Sequence, residues 1–138
     1  MKALADRRAR IVRVRAVQHI QASIAAGEAE ARANALADNE QKLVALRGNL
    51  QFDPGAVQGG AMAAQAELAT RLEAARASMA DNIAAARAVA TTKEQERLAA
   101  RIRQEGAEKL QQRAVQAMQD MIEARLAAGH RHRLAPKG

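Results

Sequence analysis

The sequence predicts an all-α protein: an antiparallel two-helix coiled-coil hairpin whose C-terminal helix is the longer. Two long runs consist almost entirely of Ala, Arg, Glu, Gln and Leu, which lose little side-chain freedom in a helix. One interruption, at residues 48–60, separates the runs and contains Asp53-Pro54-Gly55 and Gly59-Gly60. Proline and glycine both oppose helix formation. A single reversal within one domain is therefore the simplest fold for 138 residues.

The first helix is expected at about residues 3–48 and the loop at about 49–60. Large apolar residues in this first run recur mostly at steps of three and four, which is typical of one packed face of a helix. We expect this stripe to pack against the second helix, with Gly27 as a soft point. The stripe comprises Leu4, Ile11, Val12, Val14, Val17, Ile20, Ile24, Leu36, Leu43, Val44, Leu46 and Leu50.

The second helix is expected at about residues 61–128, followed by a flexible basic tail at 129–138. Its apolar stripe contains several eleven-residue steps, which predict nearly straight helices with close alanine contacts and little supercoiling. Thr91-Thr92-Lys93-Glu94-Gln95 resembles a helix start, but no glycine or proline precedes it, so one continuous helix is favoured. The stripe comprises Leu68, Leu72, Met79, Ile83, Val89, Leu98, Ile102, Leu110, Val115, Met118, Ile122 and Leu126.

The unequal helix lengths predict an unpaired C-terminal segment. Pairing outward from the loop leaves about 22 residues of the second helix, or about 33 Å, beyond the first. This overhang is expected to begin near Ala107 and to expose an apolar docking stripe that includes Met118, Ile122 and Leu126. A staggered pair of helices, or a C-terminal segment that folds back, is the alternative.

Composition and motifs argue against an enzyme. The chain has 37 Ala, one Phe and no Cys, Trp or Tyr, which indicates a thin core that gains stability from a partner. No hydroxyl lies in a nucleophile motif, the three His do not form a metal set, and no phosphate-binding glycine loop is present. We therefore expect no catalytic residue, cofactor, metal or small-molecule substrate.

No apolar run is long enough to span a membrane, and the first 20 residues lack a continuous apolar stretch, so we expect neither a membrane span nor a secretory signal. The first 20 residues have the arginine-rich composition of a mitochondrial presequence. The helical pattern continues past residue 20, which favours the first helix instead.

Basic residues concentrate at both termini. Residues 1–20 carry a net charge of +5 and residues 121–138 carry +3, whereas residues 21–120 carry −1. A hairpin brings the termini together, so the two clusters are expected to form one positive field that attracts an acidic surface. The alternative is that these charges only keep the protein soluble. The residues expected to bind a protein at this end are Arg7, Arg8, Arg10, Arg13, Arg15, Met118, Ile122 and Arg125.

The loop end offers a second candidate surface. Phe52 is the only aromatic residue and is expected to plug the end of the apolar seam, or else to anchor a partner. Met62, Leu68 and Leu72 follow at the start of the second helix and complete this candidate protein-binding set.

The chain resembles the FliJ family of flagellar type III protein export. The resemblance rests on the opening residues 1–11, the break at 47–60, the Glu/Arg/Gln-rich stretch at 93–112 and the basic tail. It implies a cytoplasmic stalk, peripherally associated with the membrane export apparatus, whose open end lies at the pore of a hexameric export ATPase. It also implies contacts with the cytoplasmic domain of the membrane export gate and with export chaperones. The related stalk proteins of injectisomes would look alike.

Two other functions remain open from the residues alone. A sequence pI near 11.0 favours non-specific nucleic-acid binding, but the balanced central charge and the lack of aromatic stacking residues argue against it. A structural homodimeric coiled coil, in which helices pair between chains, is the third reading.

Overall fold

The computed structural model of the chain describes residues 2–49 and 59–134. Helix α1 spans Lys2–Gly48 and helix α2 spans Gly59–Leu134, and the two pack against each other as an all-α hairpin. Every described residue except Asn49 is helical, which confirms the predicted fold class. The expected plug at Phe52, together with Pro54 and Gly55, lies outside the described residues, whereas Gly59 and Gly60, expected in the loop, begin α2.

Helix α2 extends further than the sequence pattern predicted. It continues through Gly129 to Leu134, so the flexible tail expected from residue 129 is wrong for residues 129–134. The last turn carries Arg131, His132 and Arg133. Cations near a helix C-terminus interact favourably with its unpaired carbonyls, which offsets the cost of about 1 kcal/mol for a glycine inside a helix.

The chain also continues as one helix through Thr91 and Thr92, as predicted. Their hydroxyls donate hydrogen bonds back to the carbonyls of Arg87 and Ala88, at 3.0 and 3.1 Å. This bonding to the preceding turn satisfies the hydroxyls without a helix start. At the C-terminal end of α1, the amide of Asn49 donates a hydrogen bond to the carbonyl of Ala45 at 3.1 Å and closes the last turn of the helix.

Contacts divide the chain into two compact units. The terminal unit joins Met1–Ser23 to Glu96–Gly138, and the middle unit is Ile24–Gln95. Among the described residues, those buried in the terminal unit are Ala5, Ala100, Ala107 and Ala114, and those buried in the middle unit are Ala26, Ala33 and Ile83. Six of these seven are alanine, which confirms the expectation of close alanine contacts.

The covered positions follow a seven-residue repeat. On α1 the steps alternate between three and four, so the eleven-residue seam expected from the sequence is wrong. Alanines seven residues apart, such as Ala26 and Ala33, let the two backbones approach closely. The covered positions of α1 that follow this repeat are Ala5, Arg8, Val12, Arg15, His19, Ala22, Ala26, Ala29, Ala33, Leu36, Glu40 and Leu43; the half-buried residues beside them are Ala9, Ala16, Ser23, Ala25 and Ala37.

Helix α2 keeps the same repeat from residue 65 to residue 121. These positions on α1 and α2 are called the seam below. On α2 the seam comprises Gln65, Ala69, Leu72, Arg76, Met79, Ile83, Ala86, Ala90, Lys93, Arg97, Ala100, Gln104, Ala107, Gln111, Ala114, Met118 and Met121.

Most of the predicted apolar stripe lies outside the seam. Leu4, Ile11, Val14, Val17, Ile20, Ile24, Val44 and Leu46 of α1 are exposed, as are Leu68, Val89, Leu98, Ile102, Leu110, Ile122 and Leu126 of α2. The prediction that these residues form the packed face is therefore wrong. Neither helix concentrates its apolar residues on one side, and contact between backbones favours small side chains over large ones.

Two ion pairs show the register of the middle unit. Glu40 pairs with Arg76 at 3.7 Å, and Arg47 pairs with Glu73. The partner number falls as the α1 number rises, which is the antiparallel order. Residues 60–64 are all exposed, so pairing with α1 begins well inside α2 instead of at its first turn.

Because the first turns of α2 are not paired with α1, the C-terminal overhang is shorter than expected. Ala107 and Ala114 are buried in the terminal unit, and the last half-buried residue of α2 is Met121. Residues 122–133 are all exposed, and we call them the overhang. The predicted start near Ala107 is therefore wrong by about two heptads.

Candidate docking surfaces

The N-terminal arginines divide into two groups in the structure. Arg8 and Arg15 occupy seam positions and are half-buried, and the Arg15 guanidinium donates to the Gln18 side-chain oxygen at 3.0 Å. Arg7, Arg10 and Arg13 are exposed. Only these three are presented to solvent for a partner, so the sequence-predicted set of five contains two members with a packing role.

A shallow depression lies beside these exposed arginines on α1. It is lined by Arg7, Arg10, Ile11, Val14, Arg15 and Gln18. Two aliphatic side chains thus lie next to three guanidinium groups. Such a combination suits an acidic group that is attached to an apolar surface, because it offers charge-assisted hydrogen bonds beside apolar area.

The C-terminal candidates also differ in exposure. Met118 is half-buried in the seam, whereas Ile122 and Arg125 lie on the overhang and are exposed. Leu126, one turn further, is 68% exposed. The overhang therefore presents two adjacent aliphatic side chains, Ile122 and Leu126, together with the basic residues Arg125, Arg131 and Arg133.

The candidates near the loop are less uniform. Phe52 lies outside the described residues. Met62 and Leu68 are exposed, whereas Leu72 is half-buried in the seam. Met62 and Leu68 are six residues apart and belong to different sides of α2, so the described part of this predicted set is not one continuous apolar face.

The two units differ strongly in charge. The terminal unit contains 15 Lys and Arg against six Asp and Glu, a net charge of +9. The middle unit contains seven Lys and Arg against nine Asp and Glu, a net charge of −2. The N-terminal and C-terminal basic clusters, which are far apart in sequence, thus belong to one compact unit. Such a field raises the rate of association with acidic surfaces and weakens with salt.

Two open grooves flank the alanine seam of the middle unit. One combines Glu28 and Arg32 with Asn82 and Lys93, and the other combines Glu30 and Asn34 with Thr91 and Glu94. Both are bounded mainly by alanine and long charged side chains. Among the described residues, no group of three or more His, Cys, Asp and Glu is placed to hold a metal ion.

Sequence reasoning missed the outward aliphatic residues of the terminal unit. Because they follow one another at helical spacing, the sequence pattern predicts that Val14, Val17 and Ile20 belong to the packed stripe. The signal that identifies the seam of α1 is its heptad of covered positions, with alanine at Ala5, Ala26 and Ala33, which leaves the aliphatic row on another face.

No described helix combines the length and the apolar character needed to cross a membrane. No protein-family model matches the chain, and neither a curated protein nor a solved structure matches it.

Proposed function

We propose that the protein is a non-enzymatic component of the bacterial flagellar type III protein export apparatus. In this proposal it is a coiled-coil stalk that associates with the hexameric export ATPase and couples it to the export gate and export chaperones. Its place would be the cytoplasm, at the periphery of the membrane export apparatus. The resemblance of the sequence to the FliJ family supplies the identity of these partners.

One observation carries the proposal: both basic clusters belong to the same compact unit, whose net charge is +9. A two-helix hairpin has no enclosed substrate cleft, so its interactions depend on its faces and ends. The terminal unit offers exposed arginines at Arg7, Arg10 and Arg13, and an overhang with exposed Ile122 and Leu126. A positive, partly apolar end of this kind suits an electronegative pore.

The test is binding of the full chain to the export ATPase of the same genome. The variant Arg7→Glu/Arg10→Glu/Arg13→Glu is expected to bind at least tenfold more weakly at about 150 mM salt, because all three side chains are exposed in the positive unit. The matched control is Arg32→Glu/Arg71→Glu/Arg87→Glu, which changes the net charge equally on exposed arginines of the middle unit. Equal binding of the two variants would contradict docking through the terminal unit.

Non-specific nucleic-acid binding is the second candidate, favoured by the same net charge of +9. It predicts micromolar binding of duplex DNA that falls steeply with salt and responds to any of the terminal arginines. A fluorescence titration at physiological salt separates the two functions. Genes for an export ATPase and its stator next to this gene would favour the export function.

A further inference from the structure

The outward side of α1 in the terminal unit presents basic and aliphatic residues on the same face. We define the outer face as Arg7, Arg10, Arg13, Val14, Val17 and Ile20. In the seven-residue repeat of the seam, these residues occupy the three positions on the far side of the helix. The outer face is about 20 Å long from its first to its last residue.

Helix α2 does not cover this face. The seam of α1 near these residues runs through Arg8, Val12 and His19, on the opposite side of the helix. Val14, Val17 and Ile20 are accordingly 52–57% exposed although all three are aliphatic. Three consecutive aliphatic residues on one exposed face form an apolar patch of the type found at interaction sites.

Along α1, the arginines of the outer face precede its aliphatic residues. Arg7, Arg10 and Arg13 occupy the first two turns of the outer face, and the aliphatic residues occupy the next two turns. The depression beside Ile11 lies where the two parts meet, with Arg15 held in place by its hydrogen bond to Gln18. A complementary partner must therefore be acidic at one end and aliphatic next to it.

We propose that the outer face binds an amphipathic helix of a partner protein, acidic at one end, as a third helix alongside α1. Aliphatic side chains of that helix pack on Val14, Val17 and Ile20, and its carboxylates bind Arg7, Arg10 and Arg13. The inference rests on the proposed function for the partner's identity, since the same three arginines serve both. Beyond the proposed function, it assigns a binding role to Val14, Val17 and Ile20 and states that the bound segment of the partner is helical.

The spacing of the outer face specifies the partner helix further. Val14, Val17 and Ile20 form a ridge with three-residue steps. A three-residue ridge packs into a groove between four-residue ridges of a neighbouring helix, with a crossing angle of about 20°. The partner helix therefore carries its aliphatic residues at i, i+4 and i+8, and its Asp or Glu residues in the turns next to Arg7 and Arg10.

Other occupants fit the outer face less well. A second copy would bring two units of net charge +9 together, which opposes association. Duplex DNA matches the arginines but buries no aliphatic residue. An anionic bilayer favours helices with an apolar face flanked by basic residues along their whole length, whereas here the basic and aliphatic parts follow each other on one face.

The experiment uses the full chain and a synthetic labelled peptide of about six helical turns. The peptide carries Leu at i, i+4 and i+8 in an Ala-rich host, followed by two turns rich in Glu. In the first control peptide the three Leu residues are moved to different sides of the helix. In the second control peptide Lys replaces every Glu. Fluorescence anisotropy at about 150 mM salt is expected to show binding at least tenfold tighter for the designed peptide than for either control.

A matched pair of variants locates the site on the chain. Val14→Ser/Val17→Ser/Ile20→Ser is expected to weaken peptide binding about tenfold or more. The control Val89→Ser/Leu98→Ser/Ile102→Ser changes three exposed aliphatic residues of α2 and is expected to leave binding within about twofold. Circular dichroism melting checks that both variants remain folded, which is expected because all six side chains are exposed.

Several outcomes would overturn the inference. Equal binding of the scattered-Leu peptide, or equal loss in the two variants, removes the argument for the outer face. Binding of phosphatidylserine vesicles or duplex DNA that the outer-face variant abolishes, without peptide binding, assigns the face to lipid or nucleic acid. Self-association in sedimentation that the same variant abolishes assigns it to a second copy.

The ATPase measurement separates this inference from the proposed function. If the export ATPase binds the Val14→Ser/Val17→Ser/Ile20→Ser variant normally and no designed peptide binds the native chain, the docking inference fails and the export function survives. If the peptide binds through the outer face but the ATPase does not bind the native chain, the export function fails and the docking inference survives.

Discussion

Replacing Ile83 by alanine tests the position of the seam most directly. Ile83 is only 4% exposed and is the one large aliphatic side chain among the buried residues of the described chain. The change removes three carbons, worth about 2.4 kcal/mol at about 0.8 kcal/mol per buried methylene. Alanine's better helix propensity offsets about 0.4 kcal/mol of this loss in the free energy of unfolding, whereas a cavity that does not close completely increases the loss. We expect the free energy of unfolding to fall by about 2–3 kcal/mol.

The matched control is Ile102→Ala, the same chemical change on the same helix. Ile102 is 69% exposed, so most of its surface is already in water. Its small transfer loss and the gain in helix propensity nearly cancel, and the expected change is within about 0.5 kcal/mol.

Urea unfolding followed by far-ultraviolet circular dichroism, with linear extrapolation, measures both values. The measurements are made at several protein concentrations, because association would stabilise the chain and bury Ile102. The sequence pattern placed both isoleucines in the packed stripe. Equal destabilisation by the two substitutions at every concentration would therefore refute the alanine seam.

Further substitutions test three other features of the structure: the two helical glycines, the buried His19 and the ion pair of Arg47 with Glu73. Gly27→Ala and Gly106→Ala should each raise the unfolding free energy by about 1 kcal/mol, since a new Cβ meets open space at both positions; a loss in urea unfolding would contradict this. His19→Leu should stabilise by about 1 kcal/mol, because the His19 Nε2 atom is buried without a hydrogen-bond partner; an unchanged urea midpoint would count against that burial. Arg47→Ala should cost less than about 1 kcal/mol, since Arg47 and Glu73 are both about half exposed, and a double-mutant cycle with Glu73→Ala measures the coupling.

The sequence predicted the helices well because helix formation depends on local properties. The boundaries of α1 agree with the prediction to within a residue, since its alanine-rich run stops at Gly48. The start of α2 was placed within two residues. Its end was not, because the fraying expected at Gly129 is opposed by Arg131, His132 and Arg133, which favour the C-terminal turn.

The packed face was predicted poorly for a physical reason. Large aliphatic residues such as Val17 and Ile20 give the strongest periodic signal in the sequence, and that signal predicts that they face the other helix. Alanine has little hydrophobic surface, and its abundance along both helices hides the positions where it packs. The short overhang was not predicted for a related reason: the pairing register, seen where Arg47 meets Glu73, does not follow from the position of the loop.

The residues proposed to bind a partner differ in how much of their environment the sequence predicted. The sequence identified the basic clusters, and the structure joins them in one unit while withdrawing Arg8 and Arg15 into the seam. The exposure of Val14, Val17 and Ile20 depends on which side of α1 packs against α2, and the sequence pattern predicted that side wrongly.

The amino-acid sequence alone determined that this chain forms two long helices with one break, and that its positive charge lies at the two ends. These properties follow from backbone propensity and from the order of charged residues, which act within a few turns. Only the tertiary structure decided which side of each helix is covered, where the overhang begins and which arginines remain accessible. Those features depend on how closely two backbones approach, and small side chains permit the closest contact without producing a strong periodic signal.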